Sequence, residues 1–161
     1  YFMNKIELII MNSNEVRRRS LNLWSSIPSE VLFHRVDSSS MTILEQVRHV
    51  LEAEYLYLEI LKTRKSLPYS DDEPNPFNTR DFTTIQDEVD FAKPYRKNFL
   101  DFIMGLNEED LENIKIDRSD VGYTRNLGDM LMRMAYHEAV HTGQLLRDMR
   151  ALGLKRPHLW D

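Results

Sequence analysis

The sequence predicts an all-α protein folded as a four-helix bundle. Glycine accounts for only 5 of the 161 residues, runs of β-branched residues are few, and the helix-favouring residues Leu, Met, Glu and Arg recur along the chain. In four segments the apolar residues return every three or four positions, which is the period of an amphipathic helix. Because each apolar stripe must be buried against a neighbour, we expect an antiparallel bundle in a single domain spanning residues 3–161.

The composition and charge indicate a globular protein whose partners are neither membranes nor nucleic acids. Hydrophobic residues make up 42% and charged residues 29% of the chain, which is the balance of a globular domain. No apolar run approaches the ~20 residues of a membrane span, and no secretory leader pattern occurs, so we expect a cytoplasmic protein without a membrane partner. The net charge of −5 and the lack of a basic stripe argue against nucleic acid as a partner.

The first two helices are predicted from their apolar stripes and stop signals. The first covers about residues 3–27 and ends at Pro28, because proline cannot continue a helix. The second covers about residues 42–62 and follows the serines at 38–40, which offer N-caps. His49 projects from the side opposite the main stripe, on a second apolar face, so we expect it to face a neighbouring helix and not solvent.

A long loop separates the second helix from the third. Residues 66–82 contain several prolines and the acidic residues 71–73, and their length suits either a crossover or a lid that borders a site. The third helix is expected to begin at Thr83, with Gln86 completing a capping box. Pro94 lies inside this helix and is expected to kink or split it.

The last helix is predicted for residues 127–152. Residues 111–125 before it alternate only weakly in polarity and contain Gly122, which indicates an irregular or short extended link. Gly153 stands where a helix commonly ends in a left-handed residue, and Pro157 follows.

Three histidines on two helices suggest a metal site. The chain has no cysteine, so any metal must be held by nitrogen and oxygen ligands. His137 and His141 are four positions apart, share one helix face and can bind the same ion. With His49 from another helix they would leave coordination positions open for water or substrate. The alternative is that these are hydrogen-bonded core side chains; His34 and His158 are expected to be exposed bystanders.

Residues 137–141 also spell H-E-x-x-H, a metalloprotease signature in which Glu138 would be the catalytic base. The longer form of that signature requires Gly and His at positions held here by Gln144 and Arg147. No glutamate follows Glu138 to act as a further ligand, so the sequence argues against a protease. Glu138 retains three possible roles: a catalytic base, a residue that orients a ligand, or a partner in a helix–helix hydrogen bond.

The order of these residues resembles the DinB-like (YfiT-like) superfamily over essentially the whole chain. The pattern consists of one histidine in the second helix, within Gln46-Val47-Arg48-His49-Val50, and His137-x-x-x-His141-x-Gly143-Gln144 in the last helix. The resemblance implies a four-helix bundle, often a homodimer, in which His49, His137 and His141 bind one divalent metal, nickel or zinc before iron or manganese. It also implies that Gly143 allows close helix packing and that Gln144 lies near the metal site, as a cofactor-binding residue, or near the neighbouring helix.

The resemblance further implies a thiol-dependent activity. Characterised members that resemble this chain are bacillithiol transferases and a mycothiol-dependent maleylpyruvate isomerase. We therefore expect a metal-dependent transferase whose partners are a small-molecule thiol and an electrophile. The alternatives are a metal-dependent hydrolase and a non-catalytic, stress-linked metal-binding protein. A pocket that admits a thiol of tripeptide size favours transfer, one that holds only water favours hydrolysis, and a capped ion favours a binding role.

Overall fold

The computed structural model describes residues 3–68 and 75–160, and within these residues it confirms the all-α four-helix bundle. The four long helices are α1 (Lys5–Ser25), α2 (Ile43–Thr63), α3 (Ile85–Met104) and α5 (Leu127–Ala151). The smaller elements are the helix α4 (Asp110–Asn113), the strands β1 (Lys115–Arg118) and β2 (Tyr123–Asn126), and 3-10 turns at Ser29–Val31 and Ser119–Val121. In the described part of the chain, no helix has both the length and the apolar character needed to cross a membrane.

The first two helices begin at capping residues that satisfy their free N–H groups. The Asn4 side chain accepts a hydrogen bond from the backbone N–H of Glu7 at 2.9 Å, and α1 ends shortly before Pro28. Thr42 caps α2 in the same way, in a reciprocal capping box with the glutamate three residues later. The expectation that the serines at 38–40 supply this cap was wrong, because the cap must lie directly before the first helical turn to reach its N–H groups.

Helix α3 begins one residue later than the sequence predicted and is not split. Thr84, and not Thr83, is the N-cap, and its hydroxyl accepts from the backbone N–H of Asp87 at 3.1 Å. Gln86 therefore does not complete a capping box. Pro94 lies inside one continuous helix, since a proline removes a single backbone donor and the remaining turns stay bonded and packed.

The link between α3 and α5 is more regular than the sequence indicated. Strands β1 and β2 pair antiparallel with Lys115 opposite Asn126. The side chain of Ile116, in β1, is fully buried. Gly122 sits in the turn at φ +93°, a conformation that favours glycine. After α5, Gly153 adopts φ +69° and Leu154 donates its backbone N–H to the Met149 carbonyl at 2.9 Å, which confirms the predicted helix end.

Side-chain contacts fix the directions of the long helices. Residue numbers rise together in the contacts between α1 and α5 and between α2 and α3, so each of these pairs runs parallel, whereas α2 and α5 run antiparallel. The contacts are Arg17 with Glu138, Ser20 with Thr142, Arg48 with Glu88, Glu54 with Arg96, His49 with His137, and Gln46 with His141. A parallel α2–α3 pair requires a crossover, and the long segment between these helices provides it.

A layer of charged side chains, three of them buried and Arg96 partly exposed, divides the apolar core into two clusters. Each long helix contributes one side chain to this charged layer, which consists of Arg17, Glu54, Arg96 and Glu138. The two apolar clusters lie on either side of it. Arg17 contacts both carboxylates, at 2.8 Å from Glu138 and 3.3 Å from Glu54. The layer thus pairs two cations with two anions, which offsets the cost of removing them from water.

Candidate metal centre

His49 on α2 and two histidines of α5 converge beside the charged layer. The Nε2 atom of His137 lies 3.1 Å from Nε2 of His49 and 3.2 Å from Nε2 of His141. Among the described residues, these three histidines form the group able to hold a metal, with one ligand atom from each within 4.8 Å of the others. Nitrogen ligands at 2.0–2.1 Å from one ion are themselves about 3 Å apart, so the observed spacing suits a shared ion.

The surroundings favour the neutral, metal-binding form of the imidazoles. Burial lowers the pKa of His137 to about 4, and the nearby rings of His141 and His49 add to this effect. Burial, followed by the charge of His49, also lowers the pKa of His141. At neutral pH these rings therefore carry lone pairs and do not have to lose a proton to bind a cation.

Gln46 orients His141, and sequence reasoning missed it. Its side-chain oxygen lies 3.4 Å from Nδ1 of His141, and both residues are buried. The Gln46 side chain also hydrogen-bonds to Asp148, a buried carboxyl on α5. When Nδ1–H donates to Gln46, Nε2 keeps its lone pair toward the other histidines. The available signal was the position of Gln46 one helical turn before His49.

The side chain of Gln144 hydrogen-bonds to His141. Its side chain is exposed, and its hydrogen bond raises the pKa of His141, against the larger effect of burial. Gly143 differs from expectation, because a Cβ atom placed there would meet no other atom within 4 Å. It therefore does not serve close helix packing. His34 and His158 are exposed, as expected.

His49 is more exposed than the sequence analysis expected. It is classed with the exposed side chains, while His137 is partly buried and His141 is 8% exposed. His49 does face the neighbouring helix α5, where it meets His137 and His141, but the side chain also borders a cavity of about 420 Å³. The polar residues of its wall are Ser39, Ser40, Glu45, Arg48, Glu52, Asn78 and Arg80. The described end of the 66–82 loop thus borders the site, whereas the acidic residues 71–73 lie outside the described residues.

Arg48 fastens this loop to α2 directly beside His49. Its guanidinium forms a two-point ion pair with Glu88 of α3, at 2.9 and 2.6 Å, and stacks 3.6 Å from the ring centre of Phe82. The same group donates to three loop carbonyls, those of Phe77, Arg80 and Asp81. A guanidinium carries five N–H donors and can therefore bind several acceptors that converge on it. Through these contacts Arg48 holds one wall of the cavity in place.

Glu138 faces away from the histidines and into the charged layer. Both of its carboxylate oxygens accept from Arg17, at 2.8 and 3.1 Å, and the side chain is buried. Of the three roles that the sequence left open, this geometry favours the helix–helix contact. A catalytic base would need a free oxygen directed at the reacting group.

Comparisons with known proteins agree with this architecture. The family model of the DinB superfamily matches residues 14–145. The chain is similar to the crystal structure of a DinB-like protein from Bacillus subtilis, with 21% identity and a TM-score of 0.68, covering 94% of this chain and 96% of that one. It is also similar to a DinB-like protein from Bacillus cereus, with 18% identity and a TM-score of 0.71, covering 98% and 99%. A search of curated proteins finds no match.

Proposed function

Because the chain belongs to the DinB superfamily, we propose that it binds one divalent metal through His49, His137 and His141 and transfers a low-molecular-weight thiol to an electrophile. The observation that carries the proposal is the convergence of the three histidine nitrogens, one of which belongs to His49, a residue that also lines a cavity of about 420 Å³. Such a site combines a metal position with room for a second molecule.

The donor set fits a divalent ion of the first transition series. One nitrogen of His137 faces both other rings, and a single ion satisfies the three lone pairs together. Three imidazoles suit zinc and nickel, and also iron. In the described part of the chain no carboxylate joins the histidine group, which supports open coordination positions.

The size and the wall of the cavity suit a thiol cosubstrate. Cavities of about 300–1,000 Å³ accommodate small organic ligands, so this one is larger than a hydrolytic water requires. Its wall offers hydroxyl, amide, carboxylate and guanidinium groups, which suit a polar thiol of peptide-like chemistry. The exposure of His49 on one side leaves the site accessible from solvent.

The proposed reaction replaces a leaving group by sulfur. A bound divalent ion lowers the pKa of a thiol beside it and so supplies thiolate at neutral pH. The sulfur forms a bond to carbon of the electrophile, the leaving group departs with its electron pair, and the thiol proton passes to water. Gln46 keeps His141 oriented during this cycle, and Arg48 keeps the cavity wall closed against α2.

The experiment begins with metal analysis of protein purified without a metal-affinity column. Cobalt-substituted protein is then titrated with cysteine, glutathione and bacillithiol. A sulfur-to-cobalt charge-transfer band near neutral pH, followed by conjugation of the bound thiol to a chlorinated aromatic acceptor, is expected.

The matched controls are His137→Ala, which removes a ligand, and His34→Ala, which removes an exposed histidine outside the three-histidine group. A cobalt spectrum that no thiol alters would contradict the transfer proposal and leave metal binding intact. If the unsubstituted protein bound no metal after incubation with zinc and with nickel, both the metal site and the transfer activity would be contradicted.

A further inference from the structure

A second cavity, of about 680 Å³, lies between the C-terminal half of α5 and the segment that follows it. Gly143, Arg147 and Arg150 form its helical side. At 3.6 residues per turn these positions point at least about 120° away from His141. The cavity shares no lining residue with the one beside His49, so it is a separate feature of the molecule.

The wall of this cavity is strongly basic in a protein whose net charge is −5. Arg147 and Arg150 face it from the helix, and Lys155 and Arg156 from the tail. Within residues 3–68 and 75–160, none of these four side chains forms an ion pair with a carboxylate. The nearby Asp148 is buried and hydrogen-bonded to Gln46, and the charge of Arg147 lowers its pKa against the larger effect of burial.

The helix dipole does not account for this concentration of charge. Cations in the last turn of a helix are stabilised by the dipole, which explains Arg150. Lys155 and Arg156 lie beyond the helix end, on the other side of the cavity, so the dipole does not explain them. An anion between the two pairs would be attracted by all four cations.

The segment after α5 is anchored, so the cavity is a built feature of the fold. Leu159 is 6% exposed and belongs to an apolar core cluster. The backbone carbonyl of His158 accepts a hydrogen bond from the Asn22 side chain at 3.3 Å. Between these anchors and the helix, Leu146, Leu154 and Pro157 supply apolar wall, and Trp160 is 82% exposed at the rim.

Gly143 contributes space to this cavity. It lies inside α5 with no unusual backbone angle, and a Cβ atom there would meet nothing within 4 Å. Glycine weakens a helix relative to alanine, and here neither helix packing nor backbone conformation requires it. Its missing side chain instead enlarges the helical wall of the basic cavity.

We propose that this cavity binds a small organic anion with two or more negative charges, phosphate or carboxylate, and an apolar or planar portion. The charged groups would lie between Arg147, Arg150, Lys155 and Arg156, and the apolar portion against Leu154 and Trp160. Such a ligand complements both the charge and the mixed polarity of the wall.

The test is an NMR titration of the ¹⁵N-labelled full chain with inorganic pyrophosphate, citrate and 1-naphthyl phosphate. Saturable shifts of the Trp160 indole N–H and the Gly143 amide are expected, while the indole of Trp24, 2% exposed in the core, stays in place. Pyrophosphate and citrate distinguish a phosphate site from a carboxylate site. Tighter binding of naphthyl phosphate than of inorganic pyrophosphate, which carries more charge but no apolar portion, would show that the apolar wall contributes to binding.

The decisive variant is Gly143→Leu, because the new side chain enters open space and replaces a weak helix former. Binding is expected to weaken at least about tenfold while the melting temperature is unchanged or higher. Gly143→Ala is the matched control and retains binding. The double variant Lys155→Gln/Arg156→Gln is expected to bind the anions much more weakly. The affinity of the wild type is expected to fall as the salt concentration rises, and that of the double variant to change little.

Several outcomes would overturn the proposal. They are the absence of saturable shifts with all three anions, unchanged binding by Gly143→Leu, and preferential binding of a single-stranded oligonucleotide, which would assign this face to nucleic acid. All titrations are repeated after treatment with a chelator. Shifts that require metal would place the anion at the histidines and overturn the separate site, whereas the function proposed for the histidines would be unaffected.

Discussion

The side-chain oxygen of Gln46 on α2 lies 3.4 Å from Nδ1 of His141 on α5. This contact joins a metal-binding side chain to a buried amide that is itself hydrogen-bonded to Asp148. It selects the tautomer of His141 whose Nε2 is available to a metal. The two helices that carry the histidines are therefore also joined by the residue that orients one of them.

Gln46→Leu is expected to weaken metal binding by about 10- to 100-fold, because His141 loses the acceptor that fixes its ring. The measurement is a competition titration against a chromophoric chelator. Gln144→Leu is the comparison variant, since Gln144 also contacts His141 but is exposed and its hydrogen bond can be replaced by water. A larger loss from Gln144→Leu than from Gln46→Leu would contradict the orientation argument.

Removal of any one of the three histidines is expected to abolish tight metal binding and leave a helical protein. Two apolar clusters on either side of the charged layer supply most of the stability, so the fold does not depend on the ion. Metal content and far-UV circular dichroism of His49→Ala, His137→Ala and His141→Ala test this, with His34→Ala as the control. Loss of helicity after chelation would instead show that the ion is structural.

Acid is expected to destabilise the metal-free protein through His137. Its pKa is about 4 in the folded protein, because of burial and the neighbouring histidines, against about 6.5 when unfolded. Between these values the unfolded chain binds more protons, so the free energy of unfolding falls as the pH is lowered from about 6.5 to about 4. Urea unfolding of the wild type and His137→Asn across this range tests the effect; identical pH slopes would contradict it.

Glu138→Ala is expected to cost about 3–5 kcal/mol of unfolding free energy, because it leaves the buried Arg17 without one of its two carboxylate partners. The control is Glu15→Ala, which disrupts exposed ion pairs with Arg18 and Arg19 and should change the stability much less, because water and salt screen exposed pairs. Urea denaturation measures both. Glu138→Gln is expected to keep metal binding, and a selective loss of turnover with normal stability would restore the catalytic-base role.

The fold followed from the sequence wherever the information is local. The spacing of apolar residues located the four helices, Gly153 marked the end of α5, and the i, i+4 spacing placed His137 and His141 on one face. The sequence did not fix which residue caps each helix, because several serines and threonines lie near each helix start. The cap is the one whose side chain reaches the free N–H groups of the first turn. A short extended link was one of the two forms expected for residues 111–125, but the pairing of β1 with β2 was not predicted, because the strands are short and weakly patterned.

By itself the sequence determined the helix periods, the absence of thiolate ligands and the pair of histidines on the last helix. The tertiary structure decided that His49 meets that pair from an exposed position, that Gln46 orients His141, and that Glu138 joins Arg17 in the charged layer. The reason is that a helical repeat fixes which residues share a face, whereas the partner of that face depends on how distant helices cross and in which direction they run. Here the crossover between α2 and α3 sets those directions, and with them the residues that surround the three histidines.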